Sequence, residues 1–340
     1  MRALITGGVG FIGTNLADRL LRDGHDVVLF DNLGRAGVEQ NLEWLRSQHG
    51  GRAQFTKGDV RDADLVEKAM RGADIVFHLA AQVAVTTSVV DPQEDFSINA
   101  QGTLNVLEAA RKQQPAPIVL YTSTNKVYGG LDHLRVVERP SRYEFENLPH
   151  GVSESCPLDF HSPYGCSKGT ADQYVHDYHR IYGVRTIVFR MSCIYGPHQF
   201  GTEDQGWVAH FALTGLRGGR LTIYGDGKQV RDLLYVEDLV ELMNRACANI
   251  DRTAGQIYNV GGGPAHTTSV WTELQSPLRQ LLGKLPPVEY GEFRPGDQRI
   301  YVSDIRKAQE QLGWTPRVGI VDGLRRMAEA WQSDRRALHA

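Results

Sequence analysis

The stretch Thr6-Gly7-Gly8-Val9-Gly10-Phe11-Ile12-Gly13 decides the fold. It follows the apolar run Ala3 to Thr6, which reads as a strand, and leads into Phe11 to Arg22, whose apolar positions recur at helical spacing. Gly7, Gly10 and Gly13 form a GxxGxxG spacing. Such glycines permit a tight turn and let an anionic group approach the backbone N–H groups at the start of a helix, with Phe11 and Ile12 lying along that approach. Packing alone also produces glycine-rich turns, so a second mark matters. Asp31 ends the next apolar run, eighteen residues beyond Gly13. An acid at about that distance takes the hydroxyls of an adenosine ribose. It would repel a ribose phosphate, which favours NAD over NADP, although Arg35 offsets part of the repulsion.

Working outward, short β-rich runs alternate with helical patterns. Strands are expected at Ala3 to Thr6, Asp26 to Phe30, Ala53 to Lys57, Asp74 to Leu79, Ile118 to Thr122 and Thr186 to Arg190. Helices are expected near Phe11 to Arg22, Val38 to Gln48, Ala63 to Met70, Gly102 to Lys112 and Gly165 to Tyr182. This rhythm gives an α/β fold, a doubly wound Rossmann-type parallel sheet that binds ligands at the carboxyl ends of its strands. Beyond Arg190 the rhythm loosens into a smaller, mostly C-terminal α/β lobe, with helices at Ser269 to Leu282, Asp304 to Leu312 and Val321 to Trp331. The expected division is a dinucleotide-binding domain at 1–190, with a return from about 228–262, and a substrate lobe at 191–227 and 263–335. Gly129 to Phe160 breaks the pattern and reads as a lid or as disordered. The chain after Trp331 reads as a frayed end.

Composition narrows the function. Of 340 residues, 37 are Lys or Arg and 40 Asp or Glu, a net charge of −3 that lacks the basic footprint of a nucleic-acid binder. Glycine, at 36 of 340, exceeds the usual ~7% and suits a chain with many tight turns. Cys156, Cys166, Cys193 and Cys247 have no metal-ligand spacing and are too few for a disulfide scaffold. No apolar stretch approaches the ~20 residues of a membrane span and no signal peptide is visible, so the expectation is a cytoplasmic protein with neither metal nor membrane partner.

Tyr164 and Lys168, at i and i+4 of a helical pattern, share one face and flank Cys166 and Ser167. A phenol titrates near 10. Bringing it toward neutrality takes about 4 kcal/mol, which a nearby ammonium and a cationic cofactor ring can supply. Thr124, on an earlier strand end, offers a hydroxyl for the same substrate oxygen. The expected catalytic set is therefore Thr124, Tyr164 and Lys168.

With these residues in view the chain resembles an extended short-chain dehydrogenase/reductase of the nucleotide-sugar epimerase and dehydratase type. The resemblance rests on the Thr6 to Gly13 run, Asp31-Asn32-Leu33, Gly58-Asp59-Val60, His78-Leu79-Ala80-Ala81-Gln82, Ser97-Ile98-Asn99, Tyr164-x-x-x-Lys168 and Tyr195-Gly196-Pro197, all in family order. It implies that NAD meets Asn32, Asp59, Val60, Leu79, Ala80, Ala81, Asn99 and Thr122 besides the glycine loop, Tyr164 and Lys168. It implies a nucleotide-diphosphate sugar as substrate, met by Gln82, Asn125, Lys126, Cys193, Trp207, Thr222, Tyr224, Arg231, Arg294, Asp297 and Tyr301, and a homodimer or homotetramer. Dehydratases of this type carry Asp-Glu after the threonine, whereas Asn125-Lys126 stand here and cannot share that proton traffic. With Leu158 to Gly169, Asp204 to Trp207 and Asp297 to Arg299, these residues resemble the branch that inverts carbon 2 of CDP-linked hexoses of the paratose and tyvelose kind. A 4-epimerase or a net NAD-dependent dehydrogenase on the same scaffold is the alternative. One departure is Cys193, where many relatives place an asparagine at the sugar diphosphate; a thiol is a weaker donor.

Overall fold

A computed structural model describes residues 1–294 and 297–333. In chain order it contains β1 (Arg2–Thr6), α1 (Phe11–Arg22), β2 (Asp26–Asp31), α2 (Val38–His49), β3 (Ala53–Lys57), α3 (Ala63–Met70), β4 (Ile75–His78), α4 (Val85–Val90), α5 (Pro92–Phe96), α6 (Gly102–Lys112) and β5 (Ile118–Thr124). There follow β6 (Val136–Glu138), β7 (Tyr143–Phe145), α7 (Ser162–Tyr182), β8 (Thr186–Met191), β9 (Cys193–Tyr195), α8 (Trp207–Leu216), β10 (Leu221–Tyr224), β11 (Val230–Tyr235), α9 (Val236–Ala248) and α10 (Ile250–Thr253). The chain ends through β12 (Gln256–Val260), β13 (Thr267–Ser269), α11 (Gln275–Leu282), β14 (Val288–Gly291), β15 (Ile300–Tyr301), α12 (Arg306–Leu312) and α13 (Ile320–Ser333).

Two compact units share these elements. Unit 1 takes residues 1–124, 162–190 and 240–257; unit 2 takes 125–161, 191–239 and 258–340. Residues 125–161, counted with the first domain on sequence, thus group with unit 2. Of the substrate lobe drawn at 263–335, residues 295–296 and 334–335 lie outside the described residues. So does most of the expected frayed end, and α13 runs on to Ser333.

The seven-stranded parallel sheet has the order β12-β8-β5-β4-β1-β2-β3. From β1 the chain builds outward through β2 and β3, then returns to the other side of β1 with β4, so the order reverses between β1 and β4. That reversal opens a crevice beside the carboxyl ends of these two strands, where Gly7 and Leu79 follow. The side chains of the sheet, buried on both faces as a covered parallel sheet requires, contribute Leu4, Val28, Val76 and Val119 to a core that helices α3, α6 and α7 close with Val66, Val106, Leu107 and Val175. Within it Arg190 of β8 makes a two-pronged ion pair with Asp172 of α7, Nε to Oδ2 at 2.9 Å and Nη2 to Oδ1 at 2.8 Å, with both side chains buried.

Unit 2 has its own cores. One gathers Tyr195, Val208, Phe211, Trp271, Leu274 and Met327, and a second gathers Val127, Tyr128, Leu131, Val152 and Tyr301. The second core corrects the reading of Gly129 to Phe160 as a lid or disordered. The segment folds into the antiparallel hairpin of β6 and β7, and Val152 N–H donates to Val302 O at 2.7 Å. Its apolar residues are too irregularly spaced to show a period, yet tertiary contacts order them. Among the described residues no helix is long and apolar enough to cross a membrane.

Candidate active site

The glycine loop leaves β1 at Thr6. Gly7 has φ +68°, and a Cβ there would come within 2.8 Å of Ala80 N, so only glycine lets the loop lie against the backbone of Leu79 and Ala80. At Gly13 a Cβ would sit 2.2 Å from Gly7 O, so that glycine is needed where α1 crosses the loop. Gly10 is different: its φ of −68° and ψ of 174° suit any residue, and its Cβ would meet only Gly7 O, at 3.2 Å. The protein itself therefore does not require a glycine there. Gly10 is the N-cap of α1, makes no side-chain cap hydrogen bond, and is followed by a first turn without acidic residues. Uncapped N–H groups, the positive end of a twelve-residue helix and a backbone left bare at Gly10 fit the pyrophosphate of a dinucleotide.

Asp31 closes β2 and braces this loop, its Oδ2 accepting from Val9 N–H at 3.3 Å and its Oδ1 from Leu33 N–H at 2.9 Å. Burial pushes its carboxyl up, against the pull of those two backbone donors. Asn32 Nδ2 donates to Asp59 Oδ2 at 3.0 Å, which brings the ends of β2 and β3 together. Arg61 grips the same carboxylate and, with Asn32, holds Asp59 near about 2. Arg35 is an exposed residue of the loop after β2, and Val60 packs into the core against Gly102.

The Tyr164, Thr124 and Lys168 set assembles inside unit 1. Ser162 and Pro163 open α7, Tyr164 N–H is fixed by Ser88 Oγ at 3.1 Å, and Lys168 follows one turn later. β5 runs two residues past the expected end at Thr122, which makes Thr124 its last residue. Burial pushes the Tyr164 phenol to about 12, with the Thr124 hydroxyl pulling it down and Asp95 pushing it further up. In the protein alone the phenol therefore holds its proton. Lys168 Nζ donates to Thr122 O at 2.6 Å and lies 4.3 Å from the centre of the Tyr121 ring. Burial pulls this amine down to about 7, opposed by Asp172 and Asp95.

Asn99 sits in a π-helical turn, Ser97–Gln101, and ties these parts together. Its Oδ1 accepts from Gln82 N–H at 2.9 Å, and its Nδ2 reaches Gln82 O, Asp95 Oδ1 and Ser167 Oγ, each at 3.1 Å. Gln82 folds its side-chain amide onto the Ala84 backbone through two 2.8 Å bonds. Behind Asn99 runs a buried relay absent from the sequence reading. His78 Nδ1 meets Thr6 Oγ1 at 2.7 Å, its Nε2 meets Thr103 Oγ1 at 3.0 Å, and Thr103 donates to Asn99 O at 2.6 Å. Since the Thr103 proton goes to Asn99, His78 carries its own on Nε2 and accepts at Nδ1. Burial pushes His78 down to about 3, so the ring is neutral. Nothing beside His78 in the sequence points to this relay, because Thr6 and Thr103 lie 72 and 25 residues away.

In unit 2, Asn125 Nδ2 donates to Gln298 Oε1 at 3.0 Å, and Gln298 donates in turn to Gly129 O at 2.6 Å. The Gln298 brace was also missed, because no local spacing links residues so far apart. Asp297 Oδ1 is shared by Arg231 Nη2 at 2.7 Å and Lys126 Nζ at 3.4 Å. Burial works against the Asp297 carboxylate, but the two cations hold it below its usual range; burial lowers Lys126. Trp207 Nε1 donates to Cys193 Sγ at 3.4 Å, and burial pushes that thiol up. On β10, Tyr224 lies under the Arg294 guanidinium at 3.9 Å and Thr222 Oγ1 donates to Glu289 at 3.3 Å. Tyr301 departs from this group: it is fully buried, stacked on Tyr128, and serves the core. Among the described residues no cluster of three or more acids, histidines or cysteines forms a metal cage.

The NAD dependent epimerase/dehydratase family matches residues 3–261. The chain belongs to that family. It is an NAD-dependent enzyme of nucleotide-sugar chemistry, an isomerase of the epimerase kind. A CDP-paratose 2-epimerase from Salmonella typhi is 44% identical over 98% of this chain and 99% of its own. A UDP-glucose 4-epimerase from Mycolicibacterium smegmatis is 34% identical over 98% of this chain and 99% of its own. Among solved structures, a dTDP-glucose 4,6-dehydratase from Streptomyces venezuelae with NAD bound superimposes with a TM-score of 0.83 at 31% identity, covering 98% of both chains. The family's cofactor is NAD, and the bare backbone at Gly10 is the feature of this chain that fits it.

Proposed function

We propose that this epimerase inverts carbon 2 of a CDP-linked hexose of the paratose and tyvelose kind. Unit 1 holds NAD through Gly7, Gly10 to Gly13, Asp31, Asn32, Asp59 and the backbone of Leu79 to Ala81. Unit 2 holds the nucleotide sugar through Lys126, Arg231, Asp297, Cys193, Trp207, Thr222, Tyr224 and Arg294. The 44% identity to the CDP-paratose 2-epimerase, against 34% to the UDP-glucose 4-epimerase, carries the choice of carbon and base. Asn125-Lys126 after Thr124 supports it too, since an amide and an amine do not provide the acid and base of a dehydratase.

NAD, when bound, supplies a hydride acceptor that becomes a hydride donor, so the sugar is oxidised and reduced with no net redox. The rest falls to the chain. Thr124 hydrogen-bonds the substrate oxygen while Tyr164 Oη takes its proton and later returns it. A phenol held near about 12 is well set to return a proton. Taking one requires its pKa to fall, which a charged Lys168 favours. Inversion requires the 2-keto sugar to present its opposite face before it is reduced, so its contacts with Asn125 and Lys126 must be exchangeable.

The homo-oligomer expected from sequence is supported by apolar side chains on the helices of unit 1. Val89, Val90, Phe96, Ile181 and Tyr182 are all more than half exposed, which is costly for an isolated surface. None of the four cysteines forms a disulfide, which supports a reducing, cytoplasmic setting.

The deciding experiment incubates the protein with CDP, UDP, GDP and dTDP sugars and follows the ring protons by NMR. Inversion at carbon 2 of a CDP-sugar is expected. Inversion at carbon 4 alone would overturn the assignment, and NADH accumulating with product would make the protein a dehydrogenase.

A further inference from the structure

The loop from β9 to α8 carries an acidic tip that is fastened to Arg294 within unit 2. Thr202 and Gln205 close the tip as a two-residue turn, Thr202 N–H donating to Gln205 O at 2.8 Å and Gln205 N–H to Thr202 O at 3.2 Å. The residues between them are Glu203 and Asp204, both exposed. Below the tip the loop is fixed. Buried Gln199 donates Nε2 to Ile194 O at 3.3 Å, and a Cβ at Gly201 would lie 2.5 Å from His210 N.

The tip engages both ends of the guanidinium fork. Arg294 Nη1 donates to Glu203 O at 3.2 Å and pairs with Asp204 Oδ1 at 3.3 Å, while its Nη2 faces Glu203 Oε1 at 3.7 Å. Glu203 Oε1 also accepts from Tyr224 Oη at 2.5 Å, and the Tyr224 ring covers one face of the guanidinium at 3.9 Å. His210, on the first turn of α8, feels the same charges, but burial pulls it down and leaves it neutral. Two carboxylates thus share a single guanidinium, and a diphosphate brought to the same edge would crowd further negative charge onto it. Tip and diphosphate therefore exclude each other at Arg294. We propose that Glu203 and Asp204 form a latch that occupies Arg294 in the sugar-free protein and releases it to the diphosphate of the incoming nucleotide sugar.

The inference rests on Arg294 gripping the nucleotide diphosphate, as in the function proposed above. Exposed ion pairs of this kind are individually weak, so the latch holds Arg294 without locking it. A diphosphate takes a guanidinium through two parallel, charge-assisted hydrogen bonds and displaces the carboxylates. The tip can swing without moving its base, since Gly201 packs on α8 and Gln199 on β9, while Gly206, at φ +74°, ends the loop in a conformation that suits glycine. Opening the latch lowers the apparent affinity by the fraction of protein in which Arg294 is free. A ligand without the diphosphate has nothing to release it.

Hydrogen exchange of the NAD-loaded protein, followed by mass spectrometry, reads the tip directly. Saturating CDP should speed exchange in the peptide spanning residues 201–206; a tip that becomes more protected closes over the ligand instead and overturns the proposal. Calorimetry supplies the second readout. Glu203→Gln combined with Asp204→Asn should tighten CDP binding about 3- to 10-fold. Glu203→Asp keeps the charge but shortens the reach to Tyr224 and Arg294, and should tighten it about 2- to 5-fold. Unchanged affinity in Glu203→Asp beside a gain in the neutral pair would reduce the effect to charge repulsion and overturn the latch; weaker binding in the neutral pair would overturn it outright. UDP and inorganic pyrophosphate run alongside. Release of the tip by either of them but not by CDP overturns the base assigned above and leaves the latch standing, whereas no release by any of the three overturns the latch.

Discussion

Substituting Gly10 with alanine separates what the fold needs from what the cofactor needs. The backbone there adopts φ −68° and ψ 174°, and the added methyl would touch only Gly7 O at 3.2 Å. Alanine is a poorer N-cap than glycine by about 0.5 kcal/mol. It also restricts the unfolded chain, which returns about 0.4–1 kcal/mol. The two nearly cancel, and the cofactor-depleted protein should keep its stability within about 0.5 kcal/mol. A methyl projecting where a pyrophosphate must approach costs more, about 1–3 kcal/mol by analogy with overpacked cores. That is roughly a 5- to 150-fold loss of NAD affinity. Gly13→Ala is the contrasting variant, because its methyl would lie 2.2 Å from Gly7 O. The gain of about 1 kcal/mol in helix propensity cannot offset a backbone collision, so Gly13→Ala should lose stability with or without cofactor. Urea unfolding of the cofactor-depleted proteins and calorimetric NAD titration provide the two numbers. The reasoning fails if Gly10→Ala binds NAD within about twofold of wild type, or if it unfolds as readily as Gly13→Ala.

Three other outcomes are expected. Tyr164→Phe should retain NAD and lose about 10²–10⁴-fold in turnover, measured by NMR of the sugar; near wild-type rates would remove Tyr164 from proton transfer. His78 is held at about 3 in the fold and titrates near 6.5 when unfolded. Its contribution is therefore complete above about 6.5 and is lost as pH falls toward 3, at up to about 1.4 kcal/mol per pH unit. His78→Gln keeps a donor and an acceptor but no titration, so its urea stability should decline less between pH 7.5 and 5; parallel declines would contradict the buried neutral ring. Asp172→Ala strands the Arg190 guanidinium in the core and should cost about 3–5 kcal/mol of unfolding free energy, much of it restored by adding Arg190→Met. Additive losses in the double variant would argue against that pairing.

Most of the first 124 residues were legible because each expected strand and covering helix carries its own local period; α4 and α5, too short to show one, were not expected. Thr6 to Gly13 and Asp31 show why: turn chemistry and strand ends act over a few residues, and the structure places them together as the spacing implies. Tyr164 and Lys168 were readable from their shared helical face, but their protonation was not. The low pKa expected of the phenol needs a cation and a cofactor, and burial alone drives it the other way. The roles of His78 and Gln298 were silent, since each gains its meaning from partners far along the chain. Tyr301 resembled a ligand-gripping position and proved to be an aromatic core residue, a distinction that only packing can make.

The alternation of the two units along the chain bears on how the protein is made. Unit 1 is interrupted twice, and β12, the outer neighbour of β8, begins only at Gln256. A ribosome adding roughly 5–20 residues per second leaves β8 waiting several seconds with its ladder of N–H and C=O groups unpaired. During that interval the nascent sheet offers a sticky margin to any other extended segment. Cells producing this enzyme quickly should need chaperone cover at that stage, and truncations ending before Gln256 should precipitate.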